Sequence, residues 1–133
     1  WAVCDVVVSS LKFIAKNKDE YLNELENYYF SKNEFEVRFA VVCLMDYYLD
    51  DNHIDYCLDI LNNISHKGYY VQMAVAWAIS VSYVKFPKET LPFLQNNKLD
   101  AFTYNKALQK LCESLRVSKE DKIMFKSMKV KNI

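Results

Sequence analysis

Glycine and proline are scarce in this chain, with one Gly and two Pro in 133 residues. Helix boundaries must therefore be read from polar clusters and capping residues rather than from the usual breakers. No Cys-x-x-Cys spacing occurs. Cys4, Cys43, Cys57 and Cys112 each fall within an apolar pattern of helical period, so they read as small core residues of a reducing compartment. The two histidines, His53 and His66, have no partner at a metal-ligand spacing and are expected at the surface or in caps. No zinc is expected. No apolar run approaches the roughly 20 residues that cross a bilayer, and no signal-peptide pattern is present. The expectation is a soluble, intracellular, cytoplasmic protein without a membrane partner.

Apolar residues make up 52% of the chain, including 10 Tyr and 8 Phe, which is enough for a substantial core. They recur with a fixed stride. Trp1, Phe35, Tyr69 and Thr103 are spaced 34 apart, and each begins an apolar run of helical period. A hairpin of that length cannot bury its apolar face alone and must stack on its neighbours, which makes an extended curved surface. Helices are predicted over 1–15, 19–30, 34–49, 53–64, 69–86, 87–95 and 103–115, with a last one opened by Ser118 and Asp121. Pro87 suits a first helical turn, Pro92 should shorten or kink its helix, Gly68 resets the chain, and Thr103 is the expected cap of its helix. On the helix over 34–49, Phe35, Phe39, Val42 and Met45 form the expected buried face.

No credible strand remains, because Val6-Val7-Val8 and Val41-Val42 lie inside longer helical patterns. The tetratricopeptide pattern Trp-x-x-Leu-Gly-x-x-Tyr is missing from every repeat. The predicted fold is thus all-α, a HEAT-like α-solenoid of four antiparallel helix pairs forming one domain over 1–133. Trp1 enters its helical pattern without a preceding cap, so the chain is expected to be the C-terminal part of a longer protein. A monomer is expected.

Formal charge balances at 17 basic against 17 acidic residues, yet it is spread unevenly. Residues 1–64 hold 5 basic and 12 acidic groups, and residues 102–133 hold 8 and 3. Lys119, Lys122, Lys126 and Lys129 follow a 3-4-3 spacing that places them on one helical face, while Lys106 and Lys110 sit one turn apart. Such a stripe can follow a phosphate backbone. From charge alone the plainer reading is a solvated lysine face.

Four further residues fall at related repeat positions: Trp1, Asp5, Arg38 and Trp77. Folded back by the stride, they occupy an arc of about 140° at about 100° per residue, so one groove wall can hold them all. Arg38, one of two arginines, interrupts an apolar stretch and needs a partner. On spacing alone the simplest partner is Asp5 in a buried ion pair between repeats, with Trp1 and Trp77 as core aromatics.

At these residues the chain resembles the DNA alkylation repair glycosylases of the AlkD type. The resemblance runs through Trp1-Ala2-Val3-Cys4-Asp5 and Phe35-Glu36-Val37-Arg38-Phe39-Ala40. It continues through the segment from Tyr69 to Ala78 that carries Trp77, and through Tyr104-Asn105-Lys106-Ala107-Leu108. It covers nearly the whole chain but only the C-terminal part of the family fold. Gln72 and Ser80 stand where the family commonly carries basic side chains.

The resemblance implies a HEAT-like fold without cofactor that acts on double-stranded DNA and excises N3- or N7-alkylated purines by hydrolysing the N-glycosidic bond. It implies Asp5 as the catalytic residue and Trp1, Arg38 and Trp77 as the cradle of the sugar and phosphate. Lys106, Lys110, Lys119, Lys122, Lys126 and Lys129 would contact DNA phosphates. Localisation would be cytoplasmic, and nucleoid-associated when DNA is bound. Two other readings fit the same sequence: a DNA-binding relative without activity, and a protein-interaction scaffold, the common use of helical solenoids.

Overall fold

The computed structural model describes residues 16–130 and contains seven α-helices, with no strand among the described residues. They are α1 (Lys18–Tyr29), α2 (Glu34–Tyr47), α3 (Ile54–Asn63), α4 (Tyr69–Lys85), α5 (Pro87–Gln95), α6 (Ala101–Glu113) and α7 (Lys119–Met128). The helix predicted over 1–15 lies outside the described residues.

Local chemistry explains where these helices start. Asn33 caps α2, its Oδ1 accepting the N–H groups of Phe35 at 2.9 Å and Glu36 at 3.3 Å. Ser118 caps α7 through the Asp121 N–H at 3.2 Å, and Pro87 opens α5 at its first turn, both as predicted. Helix α5 runs through Pro92 and ends three residues later. The cap of α6 corrects the sequence reading. Asp100, not Thr103, caps this helix, accepting the Thr103 N–H at 2.7 Å, while Thr103 itself is buried inside the first turn. Burial pushes the Asp100 carboxyl up, but bonds from Thr103, Gln72 and Lys67 outweigh it and hold the group below the usual carboxylate range.

Helices α2, α4 and α6 lie side by side as one row and make the most extensive interhelical contacts. Helices α3 and α5 pack on each other and on α4, and α7 packs against α6, so three hairpins stack in series with α1 against α2 at one end. This is the HEAT-like solenoid arrangement. The middle row sits between neighbours on both sides and on its outer flank. Helix α2 is consequently buried almost all round from Val37 to Met45. The face expected for it is only partly right: Val42 and Met45 are buried, but Phe35, in the first turn at the rim, is 56% exposed.

Cys43 and Cys57 are fully buried and Cys112 half-buried, while Cys4 lies outside the described residues. The Cys57 thiol donates to the Tyr48 carbonyl at 3.3 Å, and burial pushes its pKa up to about 12, which keeps it an inert core group.

The stride reappears as bonds between corresponding positions of successive repeats. Lys18 Nζ meets Asp50 at 2.7 Å, His66 Nε2 donates to the Lys32 carbonyl at 2.9 Å, and the Lys98 N–H donates to Asn62 Oδ1 at 2.7 Å. The other His66 nitrogen accepts the Gly68 N–H at 2.9 Å, so this histidine staples a loop. His53 holds Asp50 Oδ1 at 2.7 Å from the position before α3.

Gly68 precedes α4 and offers no capping side chain. Glu34 reaches over from α2 instead, its carboxylate accepting the Tyr70 N–H at 3.0 Å. A Cβ on Gly68 would lie 2.1 Å from Glu34 Oε2 and 2.5 Å from its Cδ. Gly68→Ala is therefore expected to displace Glu34 and cost about 0.5 to 2 kcal/mol, the range for a lost cap. Glu34→Ala should cost a similar amount, and the double variant little more, because both remove one bond. Denaturant midpoints check this, and fully additive losses would separate the two residues.

Candidate nucleic-acid interface

Along α4, Tyr70, Met73, Trp77, Val81 and Val84 recur at 3-4-4-3 spacing. That spacing makes a single stripe of about 21 Å at about 1.5 Å per residue. The stripe forms the floor of two clefts in series. The first, of about 320 Å³, is lined by Arg38, Tyr69, Tyr70, Met73, Trp77 and Lys110. The second, of about 190 Å³, is lined by Trp77, Ser80, Val81, Val84, Lys85, Ser114 and Arg116. Trp77 is the wall between them, with 36% of its surface exposed.

Arg38 is only 8% exposed, and its Nη1 donates to the Tyr70 carbonyl at 2.9 Å. That bond holds the guanidinium between α2 and α4 at the edge of the first cleft. Lys110 comes from α6, two repeats along from α2. Lys106 lies one turn earlier, its Nζ 5.8 Å from the Phe102 ring centroid, within cation–π range, and 3.3 Å from Gln109 Oε1. Phe102 in turn packs on Tyr69 with ring centroids 6.0 Å apart.

Among the described residues, four cations line the two clefts, Arg38, Lys110, Lys85 and Arg116, and no carboxylate does. Several carboxylates of the first half are bonded elsewhere. Glu34 caps α4, Glu36 accepts from Ser31, Glu26 from Tyr56, and Asp50 binds Lys18 and His53. Farther along, Asp100 caps α6 and Asp121 accepts from Tyr83 at 3.0 Å. Burial raises the Asp50 carboxyl, but Lys18 and His53 more than offset this and hold it below the usual range. The described linings of the two clefts are thus cationic in a chain of zero formal charge.

Of the residues expected from sequence, Arg38, Trp77 and Lys110 share the first cleft, and Lys106 stands beside Lys110. Lys119, Lys122, Lys126 and Lys129 sit on or just after α7 and line neither cleft. Trp1 and Asp5 lie outside the described residues. Gln72 donates to Asp100 at 3.1 Å, away from the cleft, while Ser80 donates to the Trp77 carbonyl at 2.7 Å and borders the second cleft. The positive charge beside Ser80 comes from Lys85 and Arg116. These two, with Tyr69, Tyr70, Met73 and Ser114, were missed. Arg116 is the other arginine of the chain, and Lys85 lies two turns beyond Trp77, signals present in the sequence.

Among the described residues no group of three His, Cys, Asp or Glu side chains is placed to hold a metal ion, and no helix is long and apolar enough to cross a membrane. Comparison with curated proteins and with solved structures returned no match. The model of one family, described as DNA alkylation repair enzyme, matches residues 1–111. On the strength of that match over most of its length, the chain belongs to the DNA alkylation repair enzyme family.

Proposed function

We propose that the groove along α4 binds double-stranded DNA carrying N3- or N7-alkylated purines and that the protein hydrolyses their N-glycosidic bonds. The observation that supports this reading is the sorting of charge among the described residues: two clefts flanking an exposed Trp77, lined by four cations and no carboxylate. Family membership supplies the chemistry that such a surface would serve.

Alkylation leaves a positive charge on the purine, which weakens its bond to C1′. As that bond breaks, its electron pair leaves with the base and neutralises the ring. Positive charge then develops on the deoxyribose, and a water oxygen bonds to C1′ as one of its O–H bonds breaks and the proton leaves to solvent. Asp5 stabilises that charge and positions the water. The faces of Trp1 and Trp77 hold the cationic sugar and shut out bulk water, contacts worth about 0.5 to 2 kcal/mol each. Arg38 presents a planar fork to a neighbouring phosphate, already aimed by its bond to Tyr70. Lys106 and Lys110 add phosphate contacts at the cleft, and Lys119, Lys122, Lys126 and Lys129 extend the field at the end of the solenoid.

The test is direct. Duplex DNA containing 7-methylguanine or 3-methyladenine is incubated with the protein, and the released base is separated and quantified. Release above the spontaneous rate is expected. Tight binding of the same duplex without release would leave a DNA-binding protein that does not cut the glycosidic bond.

A further inference from the structure

We propose that the second cleft, between α4 and the turn after α6, is a second phosphodiester site, taking a different DNA phosphate from the one at Arg38 and Lys110. This rests on the DNA-binding reading above, and it adds a ligand to a cavity outside the predicted constellation. Lys85 closes α4 and Arg116 follows α6, so two successive repeats each send one cation to the same opening. Neither side chain makes an ion pair or hydrogen bond among the described residues, although carboxylates elsewhere in the molecule are bonded. Two unpaired cations facing one small cavity repel each other unless an anion sits between them.

The cavity is built to receive such a group. Ser114 Oγ accepts the Arg116 N–H at 3.2 Å, and the Val117 N–H bonds to the Ser114 carbonyl at 3.4 Å, which makes a turn that sets Arg116 at the rim. The Ser114 hydroxyl keeps its own proton to donate. Ser80 spends its proton on the Trp77 carbonyl, so it supports the wall instead of binding. Val81 and Val84 make the floor apolar, which leaves a tetrahedral anion held by its oxygens at one side only.

The position of Trp77 gives the arrangement a purpose. One indole separates two cation-lined compartments along a single helix. A strand pinned by a phosphate in each must run across the indole, so the nucleotide opposite Trp77 is set by two anchors instead of one. The second site therefore works as a register device for the sugar that Trp77 covers.

The experiment is a double-mutant cycle between protein cations and single neutral phosphates. Duplexes carrying one methylphosphonate at each position in turn, on each strand, are titrated with the wild-type protein and with Arg116→Ala, Lys85→Ala and Arg38→Ala. Lys85 and Arg116 are exposed, so their variants should fold, and thermal melts confirm it. At one position the methylphosphonate should weaken wild-type binding about 10-fold or more, the scale of a charge-assisted bond. It should have little effect on Arg116→Ala and Lys85→Ala, and the position should differ from the one coupled to Arg38. Uniform losses with no coupled position, or coupling at the same phosphate as Arg38, would overturn the second site while leaving DNA binding intact. Saturable binding of inorganic phosphate alone at Arg116, seen by NMR and unaffected by DNA, would also overturn it. Failure of every protein to bind any duplex would instead remove the DNA reading on which the site rests.

Discussion

Asp5→Asn is expected to lower the single-turnover rate of base release about 10²- to 10³-fold while changing DNA affinity by less than about 3-fold. The substitution keeps the shape of the side chain and removes the charge that, on the proposed mechanism, offsets the developing sugar cation. Removing one preorganised electrostatic group from a water-poor site costs a factor of that order in other enzymes. Charge on the sugar exists only near the transition state, so the loss should fall on the rate and not on ground-state binding. Unchanged release by Asp5→Asn would reassign Asp5 to a structural partner of Arg38.

Arg38→Ala should act the other way, weakening binding to alkylated duplex about 10- to 100-fold, the scale of a charge-assisted bond to phosphate. It should also reduce the salt dependence of binding by about 0.9 in logarithmic slope, the release of one condensed counterion. The guanidinium is nearly buried and is held by the Tyr70 carbonyl at 2.9 Å, so on the proposed reading it would meet a phosphate already oriented. Arg38→Lys would keep the charge and lose the fork. It should retain most of the salt dependence and recover only part of the affinity. A melting curve run beside each titration separates lost binding from lost folding, because the same bond ties α2 to α4.

The repeat architecture was legible because a stride of 34 residues leaves a periodic trace in apolar residues, and the structure repeats it as bonds from one hairpin to the next. Helix ends fell within two residues of the predicted ones, since polar clusters and caps mark them even where glycine does not. Thr103 misled because its hydroxyl suits a cap, whereas Asp100 three positions earlier binds the Thr103 N–H with a charged oxygen. The face of α2 misled for another reason: a helix with neighbours on several sides loses the one-sided pattern that periodicity detects.

Of the candidate site, Arg38, Trp77 and Lys110 could be found from residue type and spacing. The charge of the surface could not. Summing charges along the chain makes residues 1–64 look repulsive to phosphate, but the sum ignores position, and none of the described carboxylates lines either cleft. Lys85 and Arg116 belong to different repeats and converge only through the stacking of α4 and α6. The lysines around α7 show the reverse, a conspicuous stripe in sequence that lines neither cleft.

The central claim, that a chain of zero formal charge binds DNA through a cationic groove, is tested most directly by the salt dependence of its affinity for an alkylated duplex. The four cleft cations and Lys106, each releasing about 0.9 counterion, predict a slope of log K against log salt of about −4 to −5. That steepness should fall by about one with each of Arg38→Ala and Lys110→Ala. An affinity indifferent to salt between about 50 and 200 mM, where the slope should already be evident, would contradict the account.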